Sequence, residues 1–470
     1  MKKTLKDLPG PAGLPLLGNL HQLDLPQLHQ QLERWAHEFG PVYRFRIGPR
    51  ERVCISDNDL INTMLRERPE RYRRPRTNEA IVAEMGINGV FSQDGDAWRR
   101  QRGIIAQALN PAHLAQFYPT LRLTTERLLG RWIRAAESGE TVDLCRDLMR
   151  YTVDVTAHLA FGEDVNTLET DGPVVQQHLD KVFPTLFKRI LAPFPLWRYW
   201  RTQADRELET ALQEIRQTVL GLIEKCRERM QADPERYAQP ANFLEAIIAA
   251  QAAEGTEFTD DEIYANVVTL LLAGEDTTAN TTAWAVKFLI DHPALAAELR
   301  AEADATLGEE RVPTQLAQVR TLDRTEAFAM ETMRFKPVAP LLALEPKEDV
   351  DLLGYRIPAG TTVLTLFRVN ALNERYFGDA ARFDPSRWLA AETAANRAHE
   401  PRAFLPFGSG PRFCPGRGLA LLEIKAVLAM ICRNFDVALA EPDGEICERL
   451  SFTMLPEHLD VRFALRAADG

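Results

Sequence analysis

The apolar run that follows Thr259 constrains the fold of this 470-residue chain more than any other segment. Thr259-Asp-Asp-Glu262 has the spacing of a capping box. In that motif a hydroxyl and a carboxylate three residues apart satisfy each other's backbone N–H groups and start a helix. The helical pattern continues to Asp291, and His292-Pro293 ends it. That is about 32 residues, or roughly 48 Å at about 1.5 Å per residue. Its middle is apolar on every side. A helix without a polar face is enclosed by other elements in a large core. The chain is therefore expected to be mainly α, built around this helix.

The remaining periodicities agree. Leu28 to Phe39, Asp57 to Arg66, Ala97 to Leu109, His113 to Glu137, Leu144 to Phe161 and Asp205 to Met230 read as helices. Pro293 to Leu307, Leu322 to Phe335 and Leu419 to Phe435 do so as well. A minor β region is expected from the alternation in Val42-Tyr-Arg-Phe-Arg-Ile47, which turns at Gly48-Pro49 and returns through Val53 to Ile55. Thr362 to Leu366 adds a short strand. Asn78 to Gln93 reads as a long loop and Pro385 to Pro406 as mostly irregular. Length alone suggests about three domains at roughly 150 residues each. No linker or low-complexity tract divides residues 1–470, so a single unit is expected.

A formal charge of −11 argues against nonspecific nucleic-acid binding. Six arginines fall between Arg66 and Arg76 and read as a solvated helix end plus loop. The six cysteines are scattered without metal-like pairs, which points to a reducing compartment. The start, Met1-Lys-Lys-Thr-Leu-Lys-Asp7, is charged with no apolar core behind it. A signal peptide or membrane anchor is not expected there. No run of about 18 apolar residues occurs. A cytoplasmic protein without a transmembrane anchor is the expectation, most simply a monomer.

Chemistry concentrates in Phe407-Gly-Ser-Gly-Pro-Arg-Phe-Cys-Pro-Gly416. One cysteine, Cys414, sits in a glycine- and arginine-rich loop ahead of an apolar helix. A thiolate is a good ligand for haem iron and favours O–O cleavage. Pro415 suits the first helical position, the helix start carries partial positive charge, and Arg412 adds a full one. Such settings lower a cysteine pKa. The glycines let the backbone approach a flat macrocycle. The plain alternative is a buried structural thiol after a turn.

A second cluster lies in the long helix, Ala273-Gly-Glu-Asp-Thr-Thr278. Ala273 and Thr277, four apart, share a face, and Gly274 leaves room beside them. Threonine hydroxyls can bond back to the previous turn and bend a helix, which could open a groove that holds a water. Thr277 and Asp276 then offer a hydroxyl relay and a carboxylate that fetches protons. The alternative is an ordinary polar face.

Phe407, Gly410, Arg412, Cys414 and Gly416 together reproduce the haem-binding signature of the cytochrome P450 monooxygenases, and the chain resembles that family from about Leu8 onward. The resemblance implies the P450 fold, with haem b between the long central helix and the cysteine-loop helix. It makes Cys414 the iron ligand, Phe407 its neighbour, and Arg412 a propionate partner with Trp98 and Arg102. Ala273 would lie against the haem, and Asp276 and Thr277 would be the acid–threonine pair of oxygen activation. Glu331, Arg334 and Arg387, the last in Phe383-Asp-Pro-Ser-Arg-Trp388, would form a structural network behind the haem. Pro9 to Gly18 resembles the proline-rich segment that follows the anchor in microsomal members. One departure stands out: where many relatives place a basic propionate partner, this chain reads Leu342-Ala-Leu-Glu-Pro346.

The implied activity is hydroxylation of a lipophilic small molecule, such as a fatty acid, terpenoid or steroid, with O₂. Ile81 to Phe91, Phe183 to Trp197, Val268, Leu272, Val338 to Leu342 and Phe452 to Leu455 would contact it. Electrons would come from NAD(P)H through a separate ferredoxin or flavodoxin with its reductase. Arg99, Arg100, Arg417, Lys425 and Arg433 could form a basic docking face. The rival readings are a peroxide-using peroxygenase or isomerase on the same fold, which usually lacks the acid–threonine pair, and a non-enzymatic haem sensor.

Overall fold

The computed structural model describes residues 3–170, 174–254, 258–389 and 399–466. The central helix runs from Asp260 to Asp291 without interruption. Its capping box is formed as expected: the Thr259 hydroxyl accepts from Glu262 N at 3.2 Å, and Glu262 accepts from Thr259 N at 3.1 Å. Twenty of its residues are buried. Three features enclose them: the helix Leu144–Phe161, the helix Asp323–Phe335 and the helix Arg417–Asn434. Gly274 permits the closest approach, since a Cβ there would meet Thr156 Oγ1 of Leu144–Phe161 at 2.7 Å.

A five-stranded sheet forms a second layer. Its order is Val42–Ile47, Arg50–Ile55, Thr362–Leu366, Leu341–Pro346 and Tyr72–Arg73. The first pair is the expected hairpin, with Val42 opposite Ile55 and Ile47 opposite Arg50. A short hairpin, Glu448–Ser451 with Thr453–Pro456, leaves Phe452 alone at its tip in a left-handed conformation, φ 78°.

Three helices depart from the sequence reading: Arg76–Glu84, Val174–Leu191 and Phe243–Glu254. The first takes up the opening part, 78–84, of the loop expected over Asn78 to Gln93. The expected irregular stretch from Pro385 to Pro406 holds short turns at Pro385–Trp388 and Pro401–Ala403, and its part at 390–398 lies outside the described residues. The last helix starts two residues before Leu419, and Phe435 opens a strand.

Among the described residues, no helix is long and apolar enough to cross a membrane.

Candidate active site

The cysteine loop takes its shape from two glycines in the left-handed region, Gly408 and Gly410, both at φ 70°. A side chain at Gly410 would come within 2.4 Å of the Leu65 carbonyl oxygen, so the loop rests directly on the end of the helix Asn58–Arg66. Cys414 N donates to Phe407 O at 2.9 Å, which closes the loop beneath the Phe407 ring. Pro415 is not the first helical residue: Gly416 caps the helix and Arg417 begins it. This shift matters for the sulfur. The N–H groups of Gly416 and Arg417, without intrahelical partners at this helix start, bond Cys414 Sγ. Arg102 donates to the carbonyl of Phe413 and brings its charge beside the thiol.

Burial nevertheless outweighs these donors and pushes the Cys414 thiol above its ordinary value. The sequence reading weighed only the influences that lower the thiol; burial acts against them, and a metal ion bound there would favour the thiolate.

Arginines crowd beside this loop. The Arg412 guanidinium carbon lies 4.5 Å from the Trp98 ring centroid, and Arg412 donates to Gln93 O at 2.6 Å and Asp94 Oδ1 at 3.1 Å. Arg68 and Arg74 converge on it. Arg74 lies over the Phe91 ring at 3.6 Å. Arg68 is 3% exposed. Nε of Arg68, Arg74 and Arg412, and Nη2 of Arg68, are buried with no hydrogen-bond partner. Burial first, and then mutual repulsion, lowers Arg68 to about 9 and Arg74 well below its usual value. Burial also lowers Arg412, to about 10, against the pull of Asp94. All stay cationic at neutral pH. A buried cluster of donors that the nearby Asp94 and Glu79 do not satisfy calls for an anionic ligand.

The cluster corrects the expectation for Arg66 to Arg76: Arg66 and Arg71 are exposed, but Arg68 and Arg74 face inward. It also answers the departure at Leu342 to Pro346. Glu345 there is neutralised by Arg76, accepting its backbone N–H at 3.0 Å, while the missing positive charge arrives from the N-terminal side.

Ala273 is exposed on an otherwise buried helix, with Thr269 and Thr277 partly exposed one turn to either side. That stripe of small and hydroxylic groups borders open space. Thr277 Oγ1 donates to Ala273 O at 2.9 Å, and Thr281 and Thr282 bond back in the same way at 2.7 and 2.8 Å. The helix is continuous through these bonds, which are the hydroxyl back-bonds that the sequence reading expected. Asp276, half-buried, is met by the hydroxyl of Thr453 at 3.4 Å.

Glu331 and Arg334 are fully buried and paired in a fork, at 2.9 and 2.7 Å. Arg387 adds a bond to Glu331 at 3.1 Å. Trp388 Nε1 and Asp384 N, which the sequence reading missed, complete the shell of Glu331 at 2.9 and 2.8 Å. Of the expected lipophilic contacts, Phe183 stacks on Phe452 with centroids 4.4 Å apart, and Phe91 lies 6.2 Å from Phe452. Val268 and Leu272 are buried in the main core.

The expected basic docking face does not assemble. Arg99 pairs with Glu70 and Asp96, Arg100 with Glu262, and Arg433 with Asp304. Lys425 is buried against Glu326. Arg417 lies 5.8 Å over the Phe407 ring.

A family model described as "Cytochrome P450" matches residues 8–463. Cytochrome P450 734A6 of Oryza sativa subsp. japonica is 30% identical, over 88% of this chain and 78% of its own length. The self-sufficient cytochrome P450 monooxygenase CYP505E4 of Penicillium expansum is 26% identical over 99% of this chain, which spans only 44% of that relative. Among solved structures, the cytochrome P450DA heme domain superposes with a TM-score of 0.85 at 24% identity, covering 98% of this chain and 97% of that one.

Proposed function

The chain belongs to the cytochrome P450 family, and from that premise we propose that it is a haem–thiolate monooxygenase hydroxylating a lipophilic small molecule. The observation that carries this reading is the buried set of unpartnered guanidinium donors on Arg68, Arg74 and Arg412, next to Trp98 and the cysteine loop. A haem fits it, because a flat apolar ring with two carboxylates on one edge satisfies both the open stripe and the orphaned cations. When bound, haem supplies the O₂ activation that side chains cannot perform.

The chain's own residues divide the remaining work. Cys414 would hold the haem iron through its sulfur, oriented by the Gly416 and Arg417 N–H groups. Arg412, Arg74 and Arg68 receive the propionates, and Trp98 packs beneath Arg412. Arg102 sits nearer the thiol, bonded to the Phe413 carbonyl, so its part is to tie the loop to the helix Gly95–Ala108. Thr277, its hydrogen committed to Ala273 O, keeps its lone pairs for a water or a passing proton. Asp276 is exposed enough to exchange protons with solvent, and a water between the two side chains would carry them to Thr277. Phe91, Phe183 and Phe452 form an aromatic roof suited to a fatty acid, terpenoid or steroid. Electrons come from NAD(P)H through a ferredoxin or flavodoxin with its reductase. The acid–threonine pair supports this reading over a peroxide-only enzyme.

The test is the ferrous–CO spectrum of haem-supplemented protein, wild type against Cys414→Ala. A spin-shift screen with fatty acids, terpenoids and steroids follows. A thiolate-type spectrum lost on substitution, with NAD(P)H-dependent product, supports the reading. An imidazole-type spectrum, or product that forms with peroxide but not with NAD(P)H and a redox partner, overturns it.

A further inference from the structure

The acid of the central helix is held by a residue that no motif contains. Thr453 follows Phe452 at the tip of the C-terminal hairpin and is buried at 3% exposure. Its hydroxyl donates to Asp276 Oδ2 at 3.4 Å and accepts from Asn280 Nδ2 at 3.3 Å. Asn280, fully buried, sits one turn beyond Asp276 on the same helix. The three side chains form one directed chain: amide to hydroxyl to carboxylate. A separation of 3.4 Å is long for an O–H···O bond. The contact is therefore weak, and it biases the carboxylate's orientation rather than locking it.

The hairpin tip is itself pinned. Phe452 occupies a left-handed conformation that a non-glycine residue adopts at a cost, and it is stacked flat on Phe183. Met454 N donates to Val338 O at 2.8 Å on the other side of Thr453. The hydroxyl thus reaches the helix from a rigid support that also bears the aromatic roof.

We infer that Thr453, steadied by Asn280, is a positioning residue for Asp276, biasing the carboxylate toward the orientation from which it passes protons. This rests on the reading of Asp276 as the proton-delivering acid. The hairpin then has two roles, since the element whose Phe452 forms part of the roof also sets the geometry of the acid.

The test uses haem-loaded protein and a reaction that needs no native substrate. Hydrogen peroxide drives oxidation of guaiacol, which supplies the electrons. Two guaiacol molecules give up one electron and one proton each, the O–O bond breaks, and both peroxide oxygens leave as water. Thr453→Val should slow this reaction about tenfold, the scale of a modest misplacement of a catalytic group. Thr453→Ser should stay near wild type. In the Asp276→Asn background, Thr453→Val should add little. Thr453→Ala replaces the valine variant if that one fails to take up haem.

A readout apart from turnover is urea unfolding of the single and double variants. The Asp276–Thr453 pair should show at least about twofold coupling in the unfolding constant. If Asp276→Asn leaves the rate and pH profile unchanged, the reading of Asp276 itself fails. If Asp276→Asn slows the reaction but Thr453→Val matches wild type, or acts equally in both backgrounds, the positioning role is overturned.

Discussion

Arg334 and Glu331 meet as a two-pronged pair inside the protein, both fully buried, with Arg387 sharing the same carboxylate. The remaining guanidinium donors are absorbed by backbone: Arg334 Nη1 bonds the carbonyls of Ala371 and Ala380 at 2.7 and 2.8 Å. Every prong has a partner. Removing the one anion therefore leaves two buried cations facing each other.

Glu331→Gln is expected to destabilise the fold by about 3–5 kcal/mol, the usual cost of breaking a buried pair. The exposed Lys287–Asp291 pair on the central helix should cost only about 0.3–0.5 kcal/mol when broken. Urea unfolding of Glu331→Gln and Asp291→Asn compares the two directly, and similar losses would contradict the argument.

Arg74→Met and Arg68→Met should act in opposite directions on the two forms of the protein. Without haem, each removes a buried, partly unsatisfied cation and should raise the unfolding midpoint. With haem, each deletes a charged donor, a loss of about 1.5–3 kcal/mol or roughly tenfold or more in haem affinity. Soret titration of apoprotein measures the second effect and thermal unfolding the first. Unchanged haem affinity would place the propionates elsewhere.

Glu448 should shape the acid limb of stability. Burial favours its neutral form, but bonds from His29 and Arg368, with the charges of Arg368 and Lys336, hold its carboxyl well below the ordinary value. Its folded pKa is depressed, so its contribution is fully present above the unfolded value of about 4.3 and is lost as pH falls through the acid range. Glu448→Gln should lower stability at pH 7 and flatten the decline below pH about 4.5. Unfolding free energies measured across that range check the sign.

Glu423 should do the reverse. It is buried on the helix Arg417–Asn434, and burial alone raises its pKa well above the usual carboxylate range. A raised acid pKa imposes no penalty below the unfolded value. The penalty grows as pH rises from there toward the folded one. Glu423→Gln should therefore stabilise the protein at neutral pH and leave it unchanged near pH about 4. A loss at neutral pH would reveal a partner that the carboxylate needs.

Much of this architecture was legible in the chain itself, and the reasons are local. Thr259 and Pro293 bracket the central helix with short-range capping chemistry, so its bounds could be read directly. The cysteine loop was legible because its chemistry lies within ten consecutive residues. The missed helices lacked such signals. Arg76–Glu84 has Pro75 at its cap with no side-chain bond, and its two buried residues, Ile81 and Val82, are adjacent rather than a turn apart. Val174–Leu191 carries Pro184 inside it. The inward turn of Arg68 and Arg74 could not be read either. An arginine-rich stretch is usually solvated, and what turns this one inward is Arg412 and Asp94, which the fold alone brings near. The link from Thr453 to Asp276 is likewise a product of tertiary assembly, spanning 177 positions.

The contact between Gly410 and the Leu65 carbonyl carries a consequence for assembly. The turn around Cys414 takes its shape against a helix end some 345 positions earlier in the sequence, so it cannot be moulded until that distant partner has docked.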